Sequence, residues 1–252
     1  MKTIFYPILA SLMSIFIYSN IQSQGLKISL GASNGIVLGD MAGTDLTKNT
    51  NAFVDYAFSS NLEIMYTKKN LGFGVRGSFM SYLRNKNEYE TAVGQSLNLT
   101  EGNYDLRYTN AFIAFSTLVG ASYQIKLSEK WALEPYVFIG FKGLTSPYEK
   151  SIYNDGSTTF TSEKDPQFYL GLNYIPGLRL QWNFSKFFGV AVFGEFDGAS
   201  FTDNAEETIT YSSTTFNKST RTMAYNPQSI NVGINLNIRF NNCFKCKKKK
   251  KE

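Results

Sequence analysis

Residues 229–240 read SINVGINLNIRF. Ile230, Val232, Ile234, Leu236, Ile238 and Phe240 are apolar, while Asn231, Gly233, Asn235, Asn237 and Arg239 between them are not. Successive side chains of a strand point to opposite faces, so this stretch reads as a strand with one apolar and one polar face. A helix would scatter the same residues around its circumference.

The period recurs upstream. Leu26, Ile28 and Leu30 alternate with Lys27, Ser29 and Gly31, and Val54 to Tyr66 alternates with Asp55, Ala57, Ser59, Asn61 and Glu63. Segments 71–79, 113–125, 133–142, 168–182 and 188–197 behave alike, which makes eight expected strands. Most are long enough for the roughly 9–11 tilted residues that cross a bilayer. The connections alternate in length. Short ones fall around Lys68-Lys69-Asn70, Ser128-Glu129-Lys130 and Ser185-Lys186, and long ones span 39–52, 84–108, 144–166 and 200–226. A sandwich has no reason for that alternation, whereas a membrane barrel has short periplasmic turns and longer outer loops. The expected fold is therefore all-β: an eight-stranded antiparallel transmembrane β-barrel, an up-and-down meander over residues 24–240 with both termini periplasmic. Pro135 and Pro176 each remove a ladder donor, and local bulges are expected there.

Composition narrows the function. The chain has 252 residues, 25 Lys+Arg against 20 Asp+Glu, no His and two Cys. Its mean hydropathy is −0.20, which excludes a polytopic helical membrane protein. Lys2 followed by the apolar stretch Ile4 to Tyr18 and a small residue at Ser23 reads as a signal peptide over 1–23. Residues 241–252, NNCFKCKKKKKE, hold six Lys and one Glu and read as a Lys-rich periplasmic tail. Between these ends, residues 24–240 carry 18 Lys+Arg against 19 Asp+Glu, so no basic patch points to nucleic acid. Without His there is neither Ser-His-Asp hydrolysis nor a His-ligated metal site. No enzyme activity, cofactor or metal is expected. Cys243 and Cys246 form a C-x-x-C that offers only two ligands, and a disulfide or two tail thiols is the reading.

The 39 aromatic residues find a place in the barrel. Tyr66, Tyr123, Trp131, Trp182, Phe184 and Phe240 lie beside the short turns and form an expected periplasmic girdle, where rings sit half buried and half wet. Phe53, Phe79, Phe141, Phe168 and Phe196 are candidates for the outer girdle. Strand parity sends ten charges inward: Lys27, Arg76, Lys142, Arg179 and Arg239, with Asp55, Glu63, Glu134, Glu195 and Asp197. An eight-stranded barrel has room for little more than its own side chains, so a paired polar core closing the lumen is expected. A narrow gated ion path is the alternative. Glu195 and Asp197 stand two apart on one strand, yet no cleft accompanies them for acid–base work.

Leu133-Glu134-Pro135-Tyr136-Val137 and the closing SINVGINLNIRF, with the eight alternating segments, resemble the outer-membrane β-barrel domain family of Bacteroidota, labelled PorT-like. The architecture is also similar to OmpA-like and OmpX-like barrels. The resemblance implies outer-membrane lipid as surroundings and recognition of Ile230–Phe240 by the barrel insertion machinery. It also implies a place as an accessory component of a secretion or envelope assembly. The family stops near its terminal aromatic, whereas this chain continues into Lys residues. The expected role is structural or one of surface interaction through the long outer loops, with a surface ligand or protein as the contact: Asn154-Asp155-Gly156 is a tight-turn signal, and the segments flanking it read as strands that continue above the membrane.

Overall fold

Period-two alternation produces strands, and the strands close on themselves. The computed structural model describes residues 25–44, 52–68, 70–96, 104–109, 111–154, 159–201, 203–211, 215–223 and 226–240. The expected leader 1–23 and the Lys-rich tail with Cys243 and Cys246 lie outside the described residues, as do Lys69, Asp155 and Gly156.

Eight long strands form the barrel: β1 (Leu26–Leu38), β2 (Val54–Lys68), β3 (Leu71–Arg84), β5 (Ala111–Tyr123), β7 (Trp131–Thr145), β10 (Phe168–Asn183), β11 (Phe188–Ser200) and β14 (Gln228–Phe240). Each pairs antiparallel with the next, and β14 returns to β1 with Phe240 opposite Leu26 and Gln228 opposite Leu38. Among the described residues, the closed meander leaves no long strand with an open edge. At 13–16 residues the strands exceed what a bilayer needs. No helix among the described residues is long and apolar enough to cross a membrane.

Three short turns and both ends of the barrel sequence share one end of the molecule. Serines set two of these turns: Ser128 Oγ accepts from the Trp131 amide at 3.1 Å, and Ser185 Oγ accepts from the Phe188 amide at 2.8 Å. Such hydroxyl-to-backbone bonds let a strand reverse within a few residues. The opposite end carries the long connections. The first holds a 3-10 turn (Gly39–Ala42), entered through Gly39 at φ +70°, a conformation that glycine adopts without a Cβ clash. The second holds α1 (Lys86–Ser96) and β4 (Tyr104–Tyr108). The third and fourth are hairpins, β8 (Glu149–Asn154) with β9 (Thr159–Lys164), and β12 (Asp203–Tyr211) with β13 (Thr215–Met223). These five short strands form a separate sheet in the order β13-β12-β9-β8-β4. The strands expected around residue 155 are there, and they extend into a sheet shared by three loops.

The prolines do not make bulges. Opposite Pro135 the β5 ladder stops, then resumes in the same register as β6 (Ile125–Lys126) against Leu133 and Ala132. The β10–β11 ladder skips Ile175 and Pro176 and also resumes unshifted. Each proline costs ladder bonds on one side only, and the intact ladder on its other side holds the register. The register does shift in β2, between Val54 and Tyr56.

Candidate functional site

Leu30, Leu62, Val119, Ile139, Leu172 and Ile234 are at least 46% exposed, around a barrel whose buried inward positions include many Asn, Ser, Gln and charged groups. This inverts the polarity of a water-soluble barrel. At the short-turn end Trp131 and Trp182 face each other in register and stack with centroids 6.2 Å apart. Phe184 and Phe188 continue the row. Tyr123 and Phe240 are exposed and Tyr66 half-buried at the same level, Tyr66 and Phe240 both lying opposite Leu26. At the other end Phe141 and Phe168 are exposed, and Phe79 packs edge-on to Phe115. Phe196 is half-buried beside Tyr174. Phe53 corrects the outer-girdle expectation. Its φ of 56° and the register shift that follows turn the ring inward, where it is buried against Tyr89.

Eight of the ten charges assigned to the lumen meet there in ion pairs. Lys27 donates to both oxygens of Glu134 at 2.7 and 2.9 Å, and its Nζ lies 3.9 Å from Glu63. Arg179 grips Glu63 with two bonds of 2.8 Å. Arg76 grips Glu195 at 2.7 and 2.6 Å, and the Tyr136 hydroxyl donates to the same carboxylate at 2.7 Å. Nearer the long loops Lys142 donates to Asp197 at 2.5 Å and to the Tyr82 hydroxyl at 3.1 Å, while Asn173 also donates to Asp197. Adjacent strands set opposite signs side by side, Glu63 against Arg76 and Glu134 against Arg179. All eight side chains are buried, four of each sign. Planar guanidinium on carboxylate, two bonds at a time, is the arrangement that best offsets the cost of taking both ions out of water.

Two assignments need correction. Asp55 sits beside the β2 register shift, which turns it half out of the lumen; its carboxylate accepts from Asn85 Nδ2 at 2.8 Å instead of joining the ionic chain. Arg239 is half-buried and lies opposite Lys27 across the β1–β14 ladder, like charge against like, and one of its terminal nitrogens is buried without a hydrogen bond among the described residues. Lys27 takes Glu134, and Arg239 stands outside the ion pairs of the described residues.

Rings interleave with the charges. The Arg179 guanidinium lies 4.2 Å from the Tyr136 ring centre and Arg76 lies 5.7 Å from that of Phe138. Tyr136 reaches this place because its cross-strand neighbour is Gly177; a Cβ at Gly177 would overlap the Tyr136 ring.

The outer third of the lumen has a different filling, which sequence reasoning missed. Met41, Val54, Met80, Tyr82, Phe112, Leu144, Tyr169 and Phe201 form one buried apolar cluster, with Ala52, Ala57, Ala114 and Ala199 making room. Met41 enters from the 3-10 turn, so Gly39–Ala42 folds back into the barrel mouth. Arg84 fastens it. Its guanidinium donates to the Ala52 carbonyl at 3.1 Å and to Glu149 at 2.5 Å, and lies 4.1 Å from the Tyr89 ring centre. One side chain thereby joins the first three long connections. The signal was available, because Arg84 shares the inward parity of Arg76, Ser78, Met80 and Tyr82 along β3. Around it, burial raises the pKa of the Tyr89 hydroxyl, and burial with the Glu90 carboxylate pushes that of Tyr108 up to about 12.

No protein-family model matches the chain, and no curated protein matches it in sequence. Among solved structures it is similar to Neisserial surface protein A, at 11% identity and a TM-score of 0.39 over 86% of this chain and 97% of that one. It is similar to Ail, the attachment invasion locus protein of Yersinia pestis, at 16% identity and a TM-score of 0.40 over 87% and 100%. A major outer membrane protein from Thermus thermophilus matches at 12% identity and a TM-score of 0.45 over 85% and 99%. At such identities and superpositions the eight-stranded closure rests on this chain's own strand register.

Proposed function

We propose that the protein is an integral barrel of the bacterial outer membrane, sealed through its lumen, that works through the sheet its loops build outside. The observation that carries this reading is the inverted polarity of the barrel: apolar residues face out, and a neutral set of ion pairs with an apolar cap fills the inside. In this reading the long loops face the exterior and both termini the periplasm, and β14 with Phe240 is the segment read by the insertion machinery. The role is one of surface contact and needs no catalytic step. A conducting role is disfavoured, because two unlike fillings block the path in series. An accessory role in a secretion assembly follows only from the PorT-like resemblance, and no observation of the structure favours it.

Gel mobility with and without boiling tests the membrane reading. A folded barrel recovered from the envelope migrates faster unboiled; a chain that fractionates as soluble and shows no shift overturns it. Planar-bilayer recording tests the sealed lumen, and steady conductance from the purified protein overturns that part. Replacing the β12–β13 hairpin with a short turn should leave the gel shift intact while removing any binding to cell surfaces.

A further inference from the structure

The two ends of the barrel carry opposite charge. The turn segments 68–70, 124–130 and 184–187 hold five Lys and one Glu. The long connections, segments 39–55, 84–110, 146–167 and 201–227, hold 14 Asp and Glu against eight Lys and Arg. The ion-paired lumen separates them. The excess positive charge therefore belongs to one end, and the tail of six Lys and one Glu follows Phe240 from that same end.

The girdle gives this charge a depth. Lys130 is the residue before Trp131, Lys186 lies between Phe184 and Phe187, Lys68 is two beyond Tyr66, and Lys126 is three beyond Tyr123. All four Lys are exposed. A strand advances about 3.3 Å per residue, so each ammonium reaches the level just outside the ring belt, where lipid headgroups stand. Long cationic side chains next to interfacial rings suit anionic headgroups, with their stems along the apolar boundary and their charge in the phosphate layer.

We propose that Lys68, Lys126, Lys130 and Lys186 form a basic ring that binds the headgroups of anionic phospholipids in the leaflet at the short-turn end. The ring gives the barrel a preferred lipid shell at that end only, since the other end is acidic. The inference rests on the membrane reading above, and the Lys tail extends the ring without being required for it.

The chain carries its own reporter. Both of its Trp, Trp131 and Trp182, lie in the girdle beside the ring. The folded protein is placed in phosphatidylcholine vesicles containing an equal mole fraction of either brominated phosphatidylglycerol or brominated phosphatidylcholine, and tryptophan quenching is compared. We expect an apparent preference for the anionic lipid of about three-fold at low salt, falling toward one near 1 M salt. The combined K68Q, K126Q, K130Q and K186Q variant, shown to fold by its gel shift, should lose most of the preference. Strong but equal quenching by the two lipids overturns the ring and leaves the membrane reading standing. Absence of quenching by both overturns the membrane reading and the ring with it. Preference that vanishes on removing residues 241–252 assigns the selectivity to the tail and overturns the ring. Equal quenching together with retention on an acidic polysaccharide places a different partner there and also overturns it.

Discussion

The inner and outer parts of the lumen solve one packing problem in two ways. Toward the short turns the space is filled by Lys27, Glu134, Glu63, Arg179, Arg76 and Glu195, each held by a partner from another strand. Toward the long loops it is filled by Met41, Tyr82, Phe112, Tyr169 and Phe201 packed over four alanines. The ionic part is built wholly from strands. The apolar part borrows Met41 and Ala52 from the first long connection, so it depends on a loop staying folded in. The difference teaches where each part is vulnerable. A buried charge that loses its partner has no alternative solvent, while an apolar cap that loses a side chain leaves a hole that its neighbours partly fill.

The largest expected effect breaks the ionic part. Glu63→Leu strands Arg179 and removes a second acceptor near Lys27, and should destabilise the folded barrel by about 3–5 kcal/mol. Denaturant unfolding in vesicles measures this. Adding Arg179→Met should recover most of the loss, because removing both partners costs far less than removing one. No recovery would mean that the pair is not the unit the geometry implies.

The next effect probes the cap. Met41→Ala should cost about 2–5 kcal/mol if the loop stays in place around the cavity. Proteolysis of the first loop should rise in step. A cost of a few tenths of a kcal/mol would show that the loop does not contribute to the barrel's stability, and the contrast between the two parts would collapse.

Asp55→Asn separates the two regions more finely. A lumen carboxylate in the ionic chain would behave like Glu63. With Asn85 as its partner at the edge of the cap, Asp55 should lose about 1 kcal/mol or less on amidation, read in the same unfolding assay.

The smallest effect is a titration. Tyr108 holds its proton up to about 12, against an ordinary 10, so the folded state favours the neutral phenol. Its contribution is fully present below pH 10 and is lost as the pH rises toward 12. Absorbance of ionised tyrosine should show a late-titrating group that moves to lower pH on Glu90→Gln. No movement would remove the carboxylate from the explanation.

Legibility followed the range of the interactions. Period two is a property of neighbouring residues, so the inward parity of Lys27, Arg76, Glu134, Arg179 and Glu195 could be read strand by strand. Asp55 departs from that parity because one register shift is enough to break it, and nothing local announces the shift. The prolines depart from expectation for the opposite reason. The expected cost of Pro135 and Pro176 is a bulge, yet the ladder on their other side carries the register through. Arg84 falls within the expected second long connection, although its parity continues that of Tyr82, because β3 runs for 14 residues, several more than the roughly 9–11 that a bilayer crossing needs.

By itself, the sequence determined the architecture: alternation sets which face of each strand is apolar, and the alternation of long and short connections sets an up-and-down order. Both are local, and eight such strands with apolar outer faces have few ways to pair. Only the tertiary structure decided which charges meet. Lys27 and Glu134 are 107 residues apart, Arg179 and Glu63 are 116, and Arg76 and Glu195 are 119. Partners at such separations are chosen by barrel closure and register, which bring opposite walls within a side chain's reach. The apolar cap was decided in the same way, since a loop turns inward only where the surrounding walls leave it a space to fill.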